Sequence, residues 1–324
     1  MLFDRNMLQL KLLAERVNDL DLSIIRQLEP ELERNIDQKW SRIAQQIIEA
    51  KNNGAAIIML MGGHVFRSGI QKFIIDLMRR GYISHLATNG SGMIHDFEYA
   101  LIGATTENVA RYIKEGQFGL WRETGMLNDL INEAYKEDKS IGMGEAISKA
   151  IFDGDFPHKD ISLFAAAQRL NIPITVHVGI GQDIIHEHPN CDGAATGALS
   201  YNDFLKFTAS VQKLENGVVM NFGSAVMGPE VFLKALSMAR NAAKQHNKSI
   251  SRFLAAVFDL YNLPENYLNE PSKDDCSYYY RPWKTMLLRT IAGDGQSMYF
   301  KGKHEETIPA IWSAINTAEK AALN

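Results

Sequence analysis

Histidines and carboxylates crowd a few glycine-rich stretches of this chain, and those are the places where chemistry could occur. His64 follows Gly62-Gly63, and His95-Asp96-Phe97-Glu98 follows Asn89-Gly90-Ser91-Gly92. His177 precedes Gly179, and Asp183, His186, Glu187 and His188 fall in one loop ahead of Pro189. Histidine changes charge near neutrality, so one of these imidazoles could serve as a general base. Three histidines with an Asp or Glu could equally hold Zn²⁺ or another divalent metal. The plainer alternatives are that His186 and His188 are solvated loop residues and that Asp96 and Glu98 only complement a helix dipole. No HExxH or comparably specific spacing selects among these readings. The two cysteines, Cys191 and Cys276, form no CxxC, which excludes a Cys-rich zinc site and a disulfide framework and points to a reducing, cytoplasmic setting.

The elements that must position these groups are legible as a repeating texture. AAIIMLMGG (55–63) is a short apolar run ending in glycines, as a buried parallel strand entering a tight turn would be. A helical pattern follows over 68–80, and then YISHLATNGSG (82–92) repeats strand, glycine turn and helix. Residues 161–170 read as a helix, IPITVHVGIG (172–181) as a strand and 200–214 as a helix. GVVMNFGSA (217–225) reads as a strand and turn, 229–244 as a helix with Pro229 at its start, and 308–323 as a final helix. Repeated strand–turn–helix units predict an α/β protein with a doubly wound, Rossmann-like parallel sheet. Leu8, Leu10, Leu12, Leu13, Val17, Leu20, Leu22, Ile24 and Ile25 predict helices ahead of Pro30, and Ile36, Ile43, Ile47 and Ile48 another after it. The expected division is a helical N-terminal extension over 1–50 and one α/β domain over 51–324.

In a doubly wound sheet the strand-end turns gather at the carboxyl edge, where ligands bind near the switch in strand order. Gly62, Gly63, Asn89, Gly90, Gly223 and Ser224 are therefore candidates for binding a dinucleotide, whose pyrophosphate favours glycine turns and helix starts. None of the turns is a GxGxxG, and each glycine alone could merely supply a tight turn. The composition, 46% hydrophobic and 22% charged, is that of a globular protein. A net charge of −4 offers no basic excess for nucleic acid or an anionic membrane surface. Charges recur every few residues in MLFDRNMLQLKLLAERVNDL, which reads as neither signal peptide nor membrane span. SYYY (277–280) with Trp283 could flank a cationic ligand or pack at a subunit interface.

SGIQKFIIDLMRRGYISHLAT (68–88), NGSGMIHDFEYAL (89–101), AAAQRLNIPITV (165–176) and GVVMNFGSAVMGPE (217–230) together resemble deoxyhypusine synthase. Arg281-Pro282, Ile291, Asp294, Gln296 and Pro309 fit the same family's C-terminal spacing. The resemblance implies a homotetramer that binds NAD and moves an aminobutyl group from spermidine, and it places Asp294 with the cofactor group. The departures are as telling. The family's catalytic lysine falls at Thr290, its preceding Trp-Gly at Leu288-Arg289, and a spermidine-contacting histidine at Pro229. A threonine hydroxyl forms no Schiff base, and arginine stays protonated. The resemblance therefore implies a divergent, bacterial-type paralogue lacking the lysine relay.

Three functions follow as expectations. The first is an NAD-dependent aminoalkyl transferase of homospermidine-synthase type acting on an amine or polyamine. There His95, Asp96 and His177 would be catalytic, and Glu98, Asp183 and Trp283 would contact the substrate. The second is a non-catalytic NAD- or ligand-binding protein. The third is a metal-dependent hydrolase using His64, His95, His177, His186 and His188.

Overall fold

A computed structural model describes residues 1–29, 37–291 and 293–323. Pro30, Ile36 and the start of the helix expected after them lie outside the described residues. The strands are β1 (Asn18–Asp21), β2 (Ile57–Met61), β3 (His85–Asn89), β4 (Ala104–Glu107), β5 (Ile174–His177), β6 (Val218–Phe222), β7 (Leu254–Asp259) and β8 (Gln296–Lys301). The α-helices are α1 (Gln38–Asn52), α2 (Gly63–Phe66), α3 (Gln71–Arg79), α4 (Gly90–Ile102), α5 (Val109–Glu115), α6 (Met126–Glu137), α7 (Met143–Asp153), α8 (Leu163–Leu170), α9 (Gly193–Val211), α10 (Met227–Gln245) and α11 (His304–Leu323). The main sheet runs β5-β3-β2-β6-β7-β8. The fold is the expected α/β, Rossmann-like one.

The chain divides into two compact units, Met1–Ile24 with Thr88–Phe204, and Ile25–Ala87 with Leu205–Asn324.

In the second unit, β2, β6, β7 and β8 pair in parallel, with Met61 opposite Phe222, Phe222 opposite Phe258, and Phe258 opposite Phe300. Every residue of β2 and β6 is buried, which is why both read as continuous apolar runs rather than alternating ones. Near the carboxyl ends of β6, β7 and β8 runs an aromatic ladder. Phe222 stacks on Phe258 with centroids 4.1 Å apart, and Phe258 on Phe300 at 4.7 Å. Trp40 of α1 closes on Phe300 at 4.5 Å. The same helix buries Ile43, Ala44, Ile47 and Ala50, one stripe at helical spacing, and Asp37 caps its start through the Lys39 amide. Rings of this size hold the carboxyl ends of the strands in fixed register.

In the first unit the N-terminal expectation is corrected. Among the described residues before α1 there are only 3₁₀ turns at Arg5–Met7, Leu13–Glu15 and Leu22–Ile24, and β1, which pairs antiparallel with β4. Of the leucines that suggested a helix, Leu13 alone is fully buried, against Tyr112 and Trp121, while Leu12 and Val17 stay exposed. Extended backbone lets Arg16 reach Glu98 and the Val17 amide donate to the Tyr112 hydroxyl, contacts that outweigh local helix propensity.

Candidate functional site

The sheet changes its direction of growth between β2 and β6. Successive strands lie on one side of β2 as β3 and β5, and on the other as β6, β7 and β8. Ligands of open α/β sheets bind outside the carboxyl ends at such a point. Both flanking strands end in glycine. A Cβ on Gly62 would stand 2.5 Å from the Gly223 carbonyl oxygen, so the two turns touch backbone to backbone. Gly223 has φ +60°, and a Cβ there would overlap the ring of His304, with Cε1 at 3.1 Å. The Gly62 amide donates to Phe222 and the Gly223 amide to Phe258. These two glycines thus form a side-chain-free floor whose own N–H groups are spent on the neighbouring strands. Ser224 is spent locally as well. Its hydroxyl accepts from the Gly228 amide in the first turn of α10 at 2.8 Å, while its carbonyl accepts from Asn221.

Three polar side chains stand at or just beyond the carboxyl ends of β2, β7 and β8 in this unit. Exposed His64 follows β2, Asp259 ends β7, and His304 follows β8. Asp259 accepts from the Tyr280 hydroxyl at 2.6 Å and the Leu260 amide at 2.7 Å. Desolvation, with Arg67 nearby, holds His64 below the ordinary histidine range. Burial does the same to His304, with His64 adding to it and Asp259 opposing it. Asp259 and His304 were missed from sequence. The order strand, glycine turn, helix and strand ending in an acid was the available signal for Asp259.

The second group lies in the first unit, at the start of α4. Asn89 caps that helix, accepting from the Gly92 amide at 3.1 Å and the Ser91 hydroxyl at 3.0 Å. The space a side chain at Gly90 would take is filled by the Asp183 carboxylate, whose Oδ1 is 2.7 Å from that Cβ position. The Ser91 amide donates to it, yet burial raises its pKa to about 6. The helix start expected to hold a cofactor phosphate through Asn89 and Gly90 therefore already holds a carboxylate of the chain. Asp183 comes from the loop after β5, where His186 accepts from the Gly181 and Asp183 amides.

The expected catalytic and substrate-binding residues separate into different roles. Asp96 is corrected: its carboxylate takes the Ser162 hydroxyl and the Leu163 and Phe164 amides, anchoring the start of α8, and desolvation lifts it to about 6. Glu98 is also corrected. It is buried and binds both ends of the Arg16 guanidinium at 2.8 Å, with Thr105 and Thr124 completing its shell. Desolvation opposes its ionisation, but these donors and the Arg16 charge hold its pKa low. His95 is half-buried, with Nδ1 on the Thr105 hydroxyl at 2.9 Å, itself bonded to Glu98. His177 is buried at the end of β5 with Thr175 Oγ1 3.0 Å from Nε2, and desolvation drops its pKa to about 3. It is a neutral ring at pH 7. His188 is fully buried on the Gly119 carbonyl.

Two further positions are corrected. Trp283 is buried in a π-helical segment, Pro282–Arg289, and its indole donates to the Tyr267 carbonyl, so it presents no face to a substrate. Asp294 is exposed at the amino end of β8, on the edge of the sheet opposite the strand-end turns. Thr290, at the lysine position, is buried and bonded to the Met286 carbonyl. Among the described residues no three metal-ligating side chains stand together, which leaves the hydrolase reading without a ligand set. No described helix is long and apolar enough to cross a membrane.

Comparison with known proteins agrees with the architecture. A family profile described as arginine dihydrolase ArgZ-like, C-terminal, Rossmann fold matches residues 41–132, less than half of the chain. No curated protein matches. Among solved structures, the ternary complex of AgrE with ornithine and NAD⁺ superposes at TM-score 0.51 and 12% identity, over 91% of this chain and 35% of that one. A candidate LOR/SDH protein from Methanococcus maripaludis S2 gives 0.50 and 15%, over 91% and 74%. A candidate deoxyhypusine synthase from Entamoeba histolytica gives 0.47 and 11%, over 87% and 89%, a similarity too weak to carry an argument. The chain spans about a third of the length of AgrE. At these identities the likeness is one of fold.

Proposed function

We propose that this protein binds NAD(H) over the Gly62–Gly223 floor and uses it in chemistry on an amine-bearing small molecule. The observation that carries the reading is the meeting of two glycine turns at the switch between β2 and β6. Side chains are absent there, and an acid, Asp259, ends the adjacent strand, where a ribose hydroxyl needs an acceptor. Those residues fit a dinucleotide. NAD would supply a hydride acceptor when bound, while the chain supplies the floor, the acid and a neutral imidazole environment. The amine class is supported by AgrE, whose ternary complex is with ornithine and NAD⁺, and by the resemblance to a polyamine-handling family. An aminoalkyl transfer of homospermidine-synthase type is the finer form of the proposal. Assembly as a homotetramer belongs to the same proposal.

Putrescine, spermidine, ornithine and agmatine incubated with NAD⁺ and the purified protein test it, with NADH absorbance and new polyamines as readouts. Product from any of these amines supports the enzyme. Tight NADH binding without turnover of any of them favours the second reading, a protein that binds NAD and does no chemistry. The buried, carboxylate-filled start of α4 gives that reading its own footing.

A further inference from the structure

His304 is the first residue of α11, and its ring stands against the backbone of Gly223 at the end of β6, with Phe222 6.1 Å away centroid to centroid. Its two nitrogens differ. Nδ1 is buried and has no hydrogen-bond partner, whereas Nε2 is the ring nitrogen beside Gly223. A buried acceptor without a partner is tolerated better than a buried N–H without one. The proton of the neutral ring therefore belongs on Nε2, which makes it a donor at the glycine floor.

We propose that His304 is a ligand-contacting residue of the crevice, its Nε2 donating to a phosphate oxygen of the molecule that lies over Gly223. The proposal rests on the nucleotide reading above for the identity of that molecule. It adds a residue and a mechanism: the donor is neutral in the free protein and gains charge as the anion arrives. The charged and titratable groups around the ring are Asp259 on β7, His64 at the start of α2 and Glu305 on its own helix. Burial and His64 favour the neutral form in the free protein, while Asp259 and Glu305 oppose it. A phosphate placed at Nε2 adds negative charge, so the pKa of the ring rises on binding. Affinity is then greatest below the free pKa and is lost as pH rises through the pKa of the complex.

The test is a titration of the full-length protein with NADH at pH 6 and pH 8, following histidine ring resonances and net proton uptake. Wild type is expected to bind more tightly at pH 6 than at pH 8, by at most about tenfold for each unit by which the ring pKa rises. His304→Gln keeps an amide donor near the Nε2 position but cannot titrate. It should bind NADH at pH 8 within a few-fold of wild type and lose the pH dependence. NADH binding that leaves the His304 resonance unmoved, or a pH dependence retained in His304→Gln, overturns the contact. Inorganic phosphate in a parallel titration separates the sources. A His304 shift with phosphate and no binding of NADH would keep the contact and overturn the dinucleotide reading.

Discussion

The carboxylate of Asp183 occupies the place where a side chain at Gly90 would stand, with Oδ1 2.7 Å from that Cβ position and the Ser91 amide donating to it. One loop residue thus explains both a glycine and a helix cap in the first unit. Gly90→Ala should displace the carboxylate and destabilise the protein by about 1–3 kcal/mol, the usual scale for overpacking a tight site. Asp183→Ala should remove most of that penalty, so the double variant will be more stable than the sum of the single changes. Urea denaturation of all four proteins measures the coupling. Strict additivity would show that the two residues do not meet.

Arg16 and Glu98 form a buried, bidentate pair within a shell of threonine hydroxyls. Breaking such a pair leaves one charge stranded, at about 3–5 kcal/mol. Arg16→Met should therefore release residues 1–24 to hydrogen exchange well before global unfolding. A variant whose N-terminal amides stay protected would contradict the account of that segment as held by this pair.

Acid sensitivity should show two opposed components. His177 has a folded pKa near 3 against an ordinary value of 6.5, so its contribution is present above 6.5 and lost as pH falls toward 3. Asp96 has a folded pKa near 6 against 3.8, so its contribution is present below 3.8 and lost as pH rises through about 6. From pH 7 to pH 5 wild type should lose about 2 kcal/mol relative to His177→Gln, and gain about 1–2 kcal/mol relative to Asp96→Asn. Urea midpoints for the three proteins across that range test both signs. Parallel pH profiles would sink the assignment.

Much of this architecture is legible in the sequence because buried parallel strands announce themselves. IIMLM and VVMNF carry no polar alternation, and each runs into glycine. The first 24 residues misled because closely spaced leucines imitate a helix while Leu13 alone takes the core position. Helices α5, α6 and α7 and strands β7 and β8 are not among the elements expected from the sequence. Within the site, sequence marks carboxylates and imidazoles but not what they are spent on. Asp96 and Asp183 look equivalent in a string, yet one anchors α8 and the other fills the start of α4. His304 became visible only through a tertiary contact with Gly223, and Asp294, assigned to the cofactor through the family resemblance, lies exposed at the amino end of β8.

The central claim is that NAD(H) binds over the glycine floor beside Asp259, and one titration tests it directly: NADH fluorescence with wild type and Asp259→Asn, whose near-isosteric amide removes the charge but keeps the shape. Wild type should saturate well below about 1 mM. Asp259→Asn should bind about 10- to 100-fold more weakly, the scale for a hydrogen bond to a charged acceptor. Saturable wild-type binding that Asp259→Asn leaves untouched would move the cofactor elsewhere. Absence of wild-type binding up to about 1 mM would contradict the account outright.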